Sequence, residues 1–247
     1  MKTKITSLLA LVALLYSCTP KETQSTETPE EVAESIAEAT EEVTTGAVCV
    51  WDQVSVRQNP GPKEKYLTAL SVGESLMYLG VDSLSGKRTY AKVQLNDETV
   101  GWTLKDFLVM EAKPAVVVRD ASIYSRPDLL TKKDLSFAAM DIVASIETEG
   151  DWMQVRGKRS DGKWMDEGWI KADNISFNDI DIATAKFAKG ALSLEGKEEK
   201  MAALQEIIEN TDLESSSFMS SLVVQLTELA EQEAPIESDT TVVEEGE

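Results

Sequence analysis

Between residues 48 and 176 the sequence carries one pattern twice, and that repetition limits the possible fold more than any other feature. Pro60, Gly101, Trp102 and Asp106 return as Pro127, Gly168, Trp169 and Asp173, each 67 residues further on. The apolar positions Leu70, Leu76 and Leu79 return at the same spacing as Phe137, Val143 and Ile146. Within the pattern the spacing slips to 62, where Tyr90 and Val93 answer to Trp152 and Val155. A shortened turn in the second copy is compensated by a longer loop at 158–166. Loops absorb length changes and cores do not, so insertions that cancel are the mark of two copies of one fold.

Each copy reads as short strands between turns. In the first, 48–51 and 54–57 precede a turn through Asn59, Pro60, Gly61 and Pro62, and 75–81 is a near-continuous apolar run. Segment 89–95 alternates, with Ala91, Val93 and Leu95 on one side and Tyr90, Lys92 and Gln94 on the other. Asn96-Asp97 makes the next turn, and 99–103 carries Gly101-Trp102. Many short strands with no helical period predict small β-barrels. A glycine in such a strand lets another backbone approach closely. Trp102 and Trp169 are therefore expected as core side chains that lie over Gly101 and Gly168 and shut the barrel end, with ligand contacts as the alternative. Asp106 and Asp173 are expected to cap the turn after that strand.

The residues also carry a resemblance. Val54-Ser55-Val56-Arg57-x-x-Pro60, Gly73-Glu74, Tyr90-x-Lys92-Val93, Gly101-Trp102-Thr103 and Phe107-Leu108 together resemble the bacterial SH3 (SH3b) domain family. The second copy keeps Trp152-x-x-Val155, Gly168-Trp169-Ile170 and Ile175, with Tyr124 in place of Arg57 and Met140 in place of Gly73. The resemblance implies two SH3-like barrels in tandem, at 47–111 and 112–176. It also implies a groove between loops that takes a cell-wall peptide, a wall glycopeptide or an envelope protein. The matching surface would draw on Trp51, Tyr66 and Tyr78 in the first copy and on Tyr124 and Trp152 in the second. Trp164 stands among turn residues of the long loop, as either a contact residue or a clasp for the loop. Arg156, Lys158, Arg159 and Lys163 make that loop locally basic. It is either a solvated hairpin balanced by Asp161, Asp166 and Glu167, or a dock for a carboxylate-bearing partner.

Ahead of the repeat, Lys2 and Lys4 precede an apolar run at 5–16 that is too short to span a bilayer and reads as a secretion signal over 1–17. It ends Leu15-Tyr16-Ser17-Cys18, which resembles the bacterial lipoprotein cleavage site. That likeness implies lipidation of Cys18, palmitate included, and an outer-membrane lipoprotein that faces the periplasm or the cell surface. Acyl burial contributes about 0.8 kcal/mol per methylene, so a multiply acylated Cys18 makes the membrane a partner. Lys21-Glu22 is similar to the short signals that route some Bacteroidetes lipoproteins outward. Segment 18–46 is acidic, poor in large apolar residues, and reads as a flexible tether. Cys49, the second of two cysteines, sits in an apolar run as a small buried hydrophobe.

Beyond residue 176 the period becomes helical, so the expected architecture is mainly β followed by about three helices at 177–234. Ile180, Ala183 and Phe187 space the first, which Gly190 would end. Met201, Leu204, Ile207 and Ile208 share a face of the second, over 196–210. The third, over 213–233 with Thr211 or Asp212 as its cap, carries Phe218, Met219, Leu222, Val223, Leu226, Leu229 and Ala230 as one stripe. That stripe buries on the first two helices, on the second barrel, or on a partner helix. Residues 235–247 read as a disordered acidic tail.

The composition removes whole classes of chemistry. With no histidine, Ser-His-Asp and Cys-His nucleophiles and histidine-ligated zinc are out of reach. A net charge of −20 argues against nucleic acid, whose phosphates need clustered cations. No metal and no cofactor is expected. The leading expectation is a non-enzymatic, lipid-anchored binding or adaptor protein of the cell envelope. The alternatives are an assembly partner that acts through the C-terminal helices and the targeting subunit of a cell-wall hydrolase.

Overall fold

The structure is a computed structural model that describes residues 44–231. The secretion signal, Cys18, most of the tether and the acidic tail lie outside the described residues. The described residues belong to one compact unit.

The first copy forms β1 (Thr45–Cys49), β2 (Val54–Arg57), β3 (Tyr66–Leu70), β4 (Ser75–Ser85), β5 (Arg88–Gln94), β6 (Val100–Leu104) and β7 (Leu108–Met110). β1 already runs through Thr45 and Gly46, which the sequence reading assigned to the tether. The second copy forms β8 (Lys113–Val117), β9 (Ala121–Tyr124), β10 (Lys132–Phe137), β11 (Ile142–Glu149), β12 (Trp152–Lys158), β13 (Met165–Lys171) and β14 (Ile175–Ser176). Each set makes a seven-stranded sheet. The first runs β3-β2-β6-β5-β4-β1-β7 and the second β10-β9-β13-β12-β11-β8-β14, the same order with each label raised by seven.

The register repeats as well. Trp102 lies opposite Arg57, and Trp169 lies opposite Tyr124. Gly101 pairs with Val93, and Gly168 with Val155. The cores match position by position: Val56, Leu70 and Val93 are fully buried in the first, and Ile123, Phe137 and Val155 in the second. Even the tight turn before β4 and β11 repeats. Glu74 accepts the Ser71 amide at 2.9 Å, and Asp141 accepts the Ala138 amide at 2.9 Å. The residue ahead of each acid is left-handed, Gly73 at φ +77° and Met140 at φ +69°. Glycine takes that conformation freely and methionine does not, but Met140 also packs against both helical clusters of the core.

The two tryptophans correct the sequence reading. Neither Trp102 nor Trp169 joins a buried core cluster, and both are half-buried. Strand alternation is the reason: Gly101 and Thr103 take the inward positions of β6, and Gly168 and Ile170 those of β13, so the tryptophans between them face outward. The two glycines lie close against the neighbouring strand. A Cβ on Gly101 would lie 2.5 Å from Val56 Cγ1 and 3.0 Å from the Arg57 carbonyl oxygen; on Gly168 it would lie 2.5 Å from Ile123 Cγ2 and 2.8 Å from the Tyr124 carbonyl oxygen. Asp106 and Asp173 do not cap their 3-10 turns, whose N-caps are Leu104 and Lys171 with no side-chain bond. Asp173 instead pairs with Arg119 at 2.6 Å.

Three helices follow among the described residues: α1 (Asp179–Leu192), α2 (Lys197–Glu209) and α3 (Met219–Glu231). Asn178 caps α1, its Oδ1 accepting the Ile180 amide at 2.9 Å. α1 runs past Gly190, the predicted stop, to a cap at Ser193. The predicted start of the third helix is also corrected. Thr211–Leu213 is a 3-10 turn, and α3 begins only at Met219. Ser216 and Ser217 bond the Asp181 carboxylate, and short hydroxyl side chains so engaged compete with helix.

Leu213 and Leu222 bury against Ala188, Ala191, Leu204 and Ile207, so α3 packs on the first two helices. Val223, placed in the stripe by spacing, is instead 47% exposed. Two further clusters join the parts. Val48, Val50 and Val109 of the first copy meet Ala144 of the second. Val72, Val116, Ile142, Ala185 and Phe218 join both sheets to the helices.

Candidate functional site

β9, β12 and β13 bring Tyr124, Gln154 and Trp169 into one cross-strand row, with Trp152 and Lys171 paired two residues along. Directly opposed residues of an antiparallel pair share a face, as do residues two apart on one strand. All five side chains therefore lie on one face of the second sheet. The Tyr124 and Trp152 rings meet edge to face at 4.8 Å. The Lys171 ammonium sits 3.8 Å from the Trp152 ring centre, in cation–π geometry. Trp152 is buried while Tyr124 and Trp169 keep part of their surface in solvent, so the face presents a stiff, partly wet aromatic platform. Lys171 was not among the candidate binding residues, and Trp169 stood there only as the alternative to a core role. The signal for both was the pairing register, which a linear pattern does not supply.

The first copy does not repeat this platform. Arg57 occupies the place of Tyr124, its guanidinium donating to the Glu64 carbonyl at 2.7 Å. Tyr90 replaces Trp152 and is buried, and Leu104 replaces Lys171.

The remaining candidates lie apart. Tyr66 is 56% exposed on β3. Tyr78 donates its hydroxyl to Asp82 at 3.0 Å, and Asp82 also binds Lys105. Burial first, and then the bond to Asp82, pushes the Tyr78 phenol above its ordinary range. Trp51 stacks at a tilt on Phe107, 5.4 Å between ring centres, and borders a cleft between the first sheet and the helices. Lys158 reaches across from β12 to stand 4.8 Å over its ring.

Trp164 is 79% exposed and does not clasp its loop. The loop is held by Arg159, which bonds Asp161 and Asp166 at 2.7 Å each, and by Ser160, whose amide and hydroxyl both donate to the buried Asp141. Of the six candidate residues, then, only Tyr124 and Trp152 are brought together.

Cys49 is fully buried, its thiol donating to the Trp51 carbonyl at 3.1 Å. Burial pushes that thiol up to about 11, so it stays protonated near neutral pH. Among the described residues no cluster of three metal-ligating side chains occurs, and no helix is long and apolar enough to cross a membrane.

No protein-family model and no curated protein matches the sequence. Several solved structures are similar to it at low overlap, three of them as follows. NlpC2 from Trichomonas vaginalis shares 15% identity over 68% of this chain and 57% of that one, with a TM-score of 0.24. NlpC1 from the same organism shares 17% over 62% and 55%, at 0.25. A protein described as an autolysin from Listeria monocytogenes shares 14% over 56% and 64%, at 0.24. The matches thus span less than two thirds of those chains.

Proposed function

We propose that this chain is a non-catalytic binding protein of the cell envelope, held at a membrane by lipid on Cys18 and built on two SH3-like barrels. The SH3b resemblance of the first copy supports the barrels, as does the strand order that recurs in the second. The observation that carries the binding role is the face formed by Tyr124, Trp152, Trp169 and Lys171. Its π surfaces are suited to stacking on a sugar ring or an apolar peptide side chain, and Lys171 to a nearby carboxylate. None of these groups is a nucleophile paired with a base, so the face recognises rather than reacts.

The test is retention of the full chain on purified cell wall and on envelope protein extracts, compared with the double variant Tyr124→Ala/Trp169→Ala. Retention by the parent and loss in the variant are expected. Equal retention of both removes the aromatic face from the proposal, and incorporation of labelled palmitate into the parent but not into Cys18→Ala tests the anchor. A second reading, assembly through the C-terminal helices, rests on Val223 and Val224 of α3, which are 47% and 55% exposed side by side. Val223→Asp would then abolish complex formation while leaving wall retention unchanged.

A further inference from the structure

The cleft beside Trp51 is separate from the aromatic face. It has a volume of about 860 Å³ and lies where the first sheet, Lys158 of the second sheet, and the helices α1 and α2 converge. We infer that it binds an acidic peptide segment carrying a large apolar side chain.

Three observations converge on that chemistry. The first is charge. Lys158, Lys186 and Lys189 border the cleft, on a chain whose net charge is −20. Among the described residues none of the three has an ion-pair partner, whereas Lys105, Arg119 and Arg159 each do. Asp52 and Glu206 line the same cleft, so its own charges leave a positive excess rather than a neutral set. Lysine meets a carboxylate as a compact point charge that demands no bidentate geometry of its partner.

The second observation is the apolar lining. Val72, Ala191, Leu194 and Ile207 line the cleft, and Phe187 stands 53% exposed on the same wall. That exposed ring extends the apolar wall of the cleft. The volume lies within the range that receives a few residues of peptide.

The third is Gly190. It lies in the last turn of α1, which continues two residues past it to Leu192. Nothing lies within 4 Å of the Cβ it lacks, so no close packing explains it. Its absent side chain keeps that part of the cleft open. Lys186, Lys189, Gly190 and Ser193 recur at helical spacing and all line the cleft, so one face of α1 forms the wall.

The test uses a fluorescein-labelled peptide of sequence Glu-Asp-Phe-Leu-Asp-Glu, with anisotropy read on the full chain. Saturable binding that weakens as salt rises is expected. Lys186→Glu combined with Lys189→Glu should weaken binding at least about tenfold, at roughly two- to fivefold per lost ion pair with added repulsion. Gly190→Leu fills the cleft, should abolish binding, and should keep the helical circular dichroism because leucine suits a helix better than glycine. Binding that survives Gly190→Leu, or equal binding of a peptide with Gly-Ser in place of Phe-Leu, overturns the inference in favour of bulk charge attraction. Saturation by dodecanoate with none by the peptide overturns it in favour of a lipid. Tighter binding by a chain shortened after Glu231 than by the full chain assigns the cleft to the protein's own acidic end and overturns the partner.

Discussion

Asp181 ties the helices to the second sheet, and its replacement tests how these parts are held together. The carboxylate is almost fully buried and accepts four bonds: Ser176 Oγ at 2.6 Å, the Ser217 amide at 2.7 Å, and Ser216 Oγ and Ser217 Oγ at 3.0 Å each. Ser176 ends β14, Asp181 lies in the first turn of α1, and the other two serines lead into α3. Burial raises the carboxyl's pKa, but the bonds from Ser176, the Ser217 amide, Ser216 and the Ser217 hydroxyl together outweigh it and hold the group below the ordinary carboxylate range. Asp181→Ala leaves several buried donors without an acceptor, at about 1–3 kcal/mol for each that water does not reach, so a loss of about 3–5 kcal/mol is expected. Asp181→Asn keeps one oxygen and the shape and should cost less, about 1–2 kcal/mol, because charge-assisted bonds become neutral ones. The pH dependence separates charge from shape. An unfolded aspartate titrates at about 3.9. With the folded value lowered, the stabilisation is complete above that pH and is lost as pH falls through the folded value. Urea unfolding followed by circular dichroism should show parent and Asp181→Asn differing at pH 7 and converging below about pH 4. A gap independent of pH, or an alanine variant within about 0.5 kcal/mol of the parent, refutes the clamp.

Gly168→Ala places a methyl group 2.5 Å from Ile123 Cγ2 and should cost about 1–3 kcal/mol in thermal or urea unfolding; a neutral result would mean that β9 and β13 are not so close. Phe137→Ala, in the middle of the second core, should cost about 3–5 kcal/mol, and half-buried Trp169→Ala clearly less; the reverse order in urea titrations would restore the tryptophan as a core element. The Cys49 thiol should resist a thiol reagent at pH 8 until the chain unfolds. Because it ionises at about 11 when folded and near 9 when exposed, stability should fall as pH rises between those values. Trp164→Ala should change stability by less than about 0.5 kcal/mol, whereas Asp141→Ala should loosen the 158–166 loop, measured as faster amide exchange there.

The duplication was legible in the linear pattern because each repeated residue answers to a local demand. Gly101 and Gly168 must admit a neighbouring strand, Leu70 and Phe137 must fill one core position, and turns such as Asn59 to Pro62 accept few other residues. Period alone also announced three helices after residue 176. What the linear order lacked was the partner of each residue. The outward turn of Trp102 and Trp169 followed from alternation around buried glycines, and hydrophobicity on its own pointed the other way. The late start of α3 depended on Asp181, more than thirty residues earlier, capturing two serines. The Tyr124–Trp152–Lys171 grouping came from strand register, and the cleft that joins Trp51 and Lys158 to α1 came from packing of the sheets on the helices. Side-chain chemistry and spacing decided which elements form, since those are short-range properties of the chain. Only tertiary structure decided which surfaces meet, because burial and pairing energies arise between residues far apart in sequence.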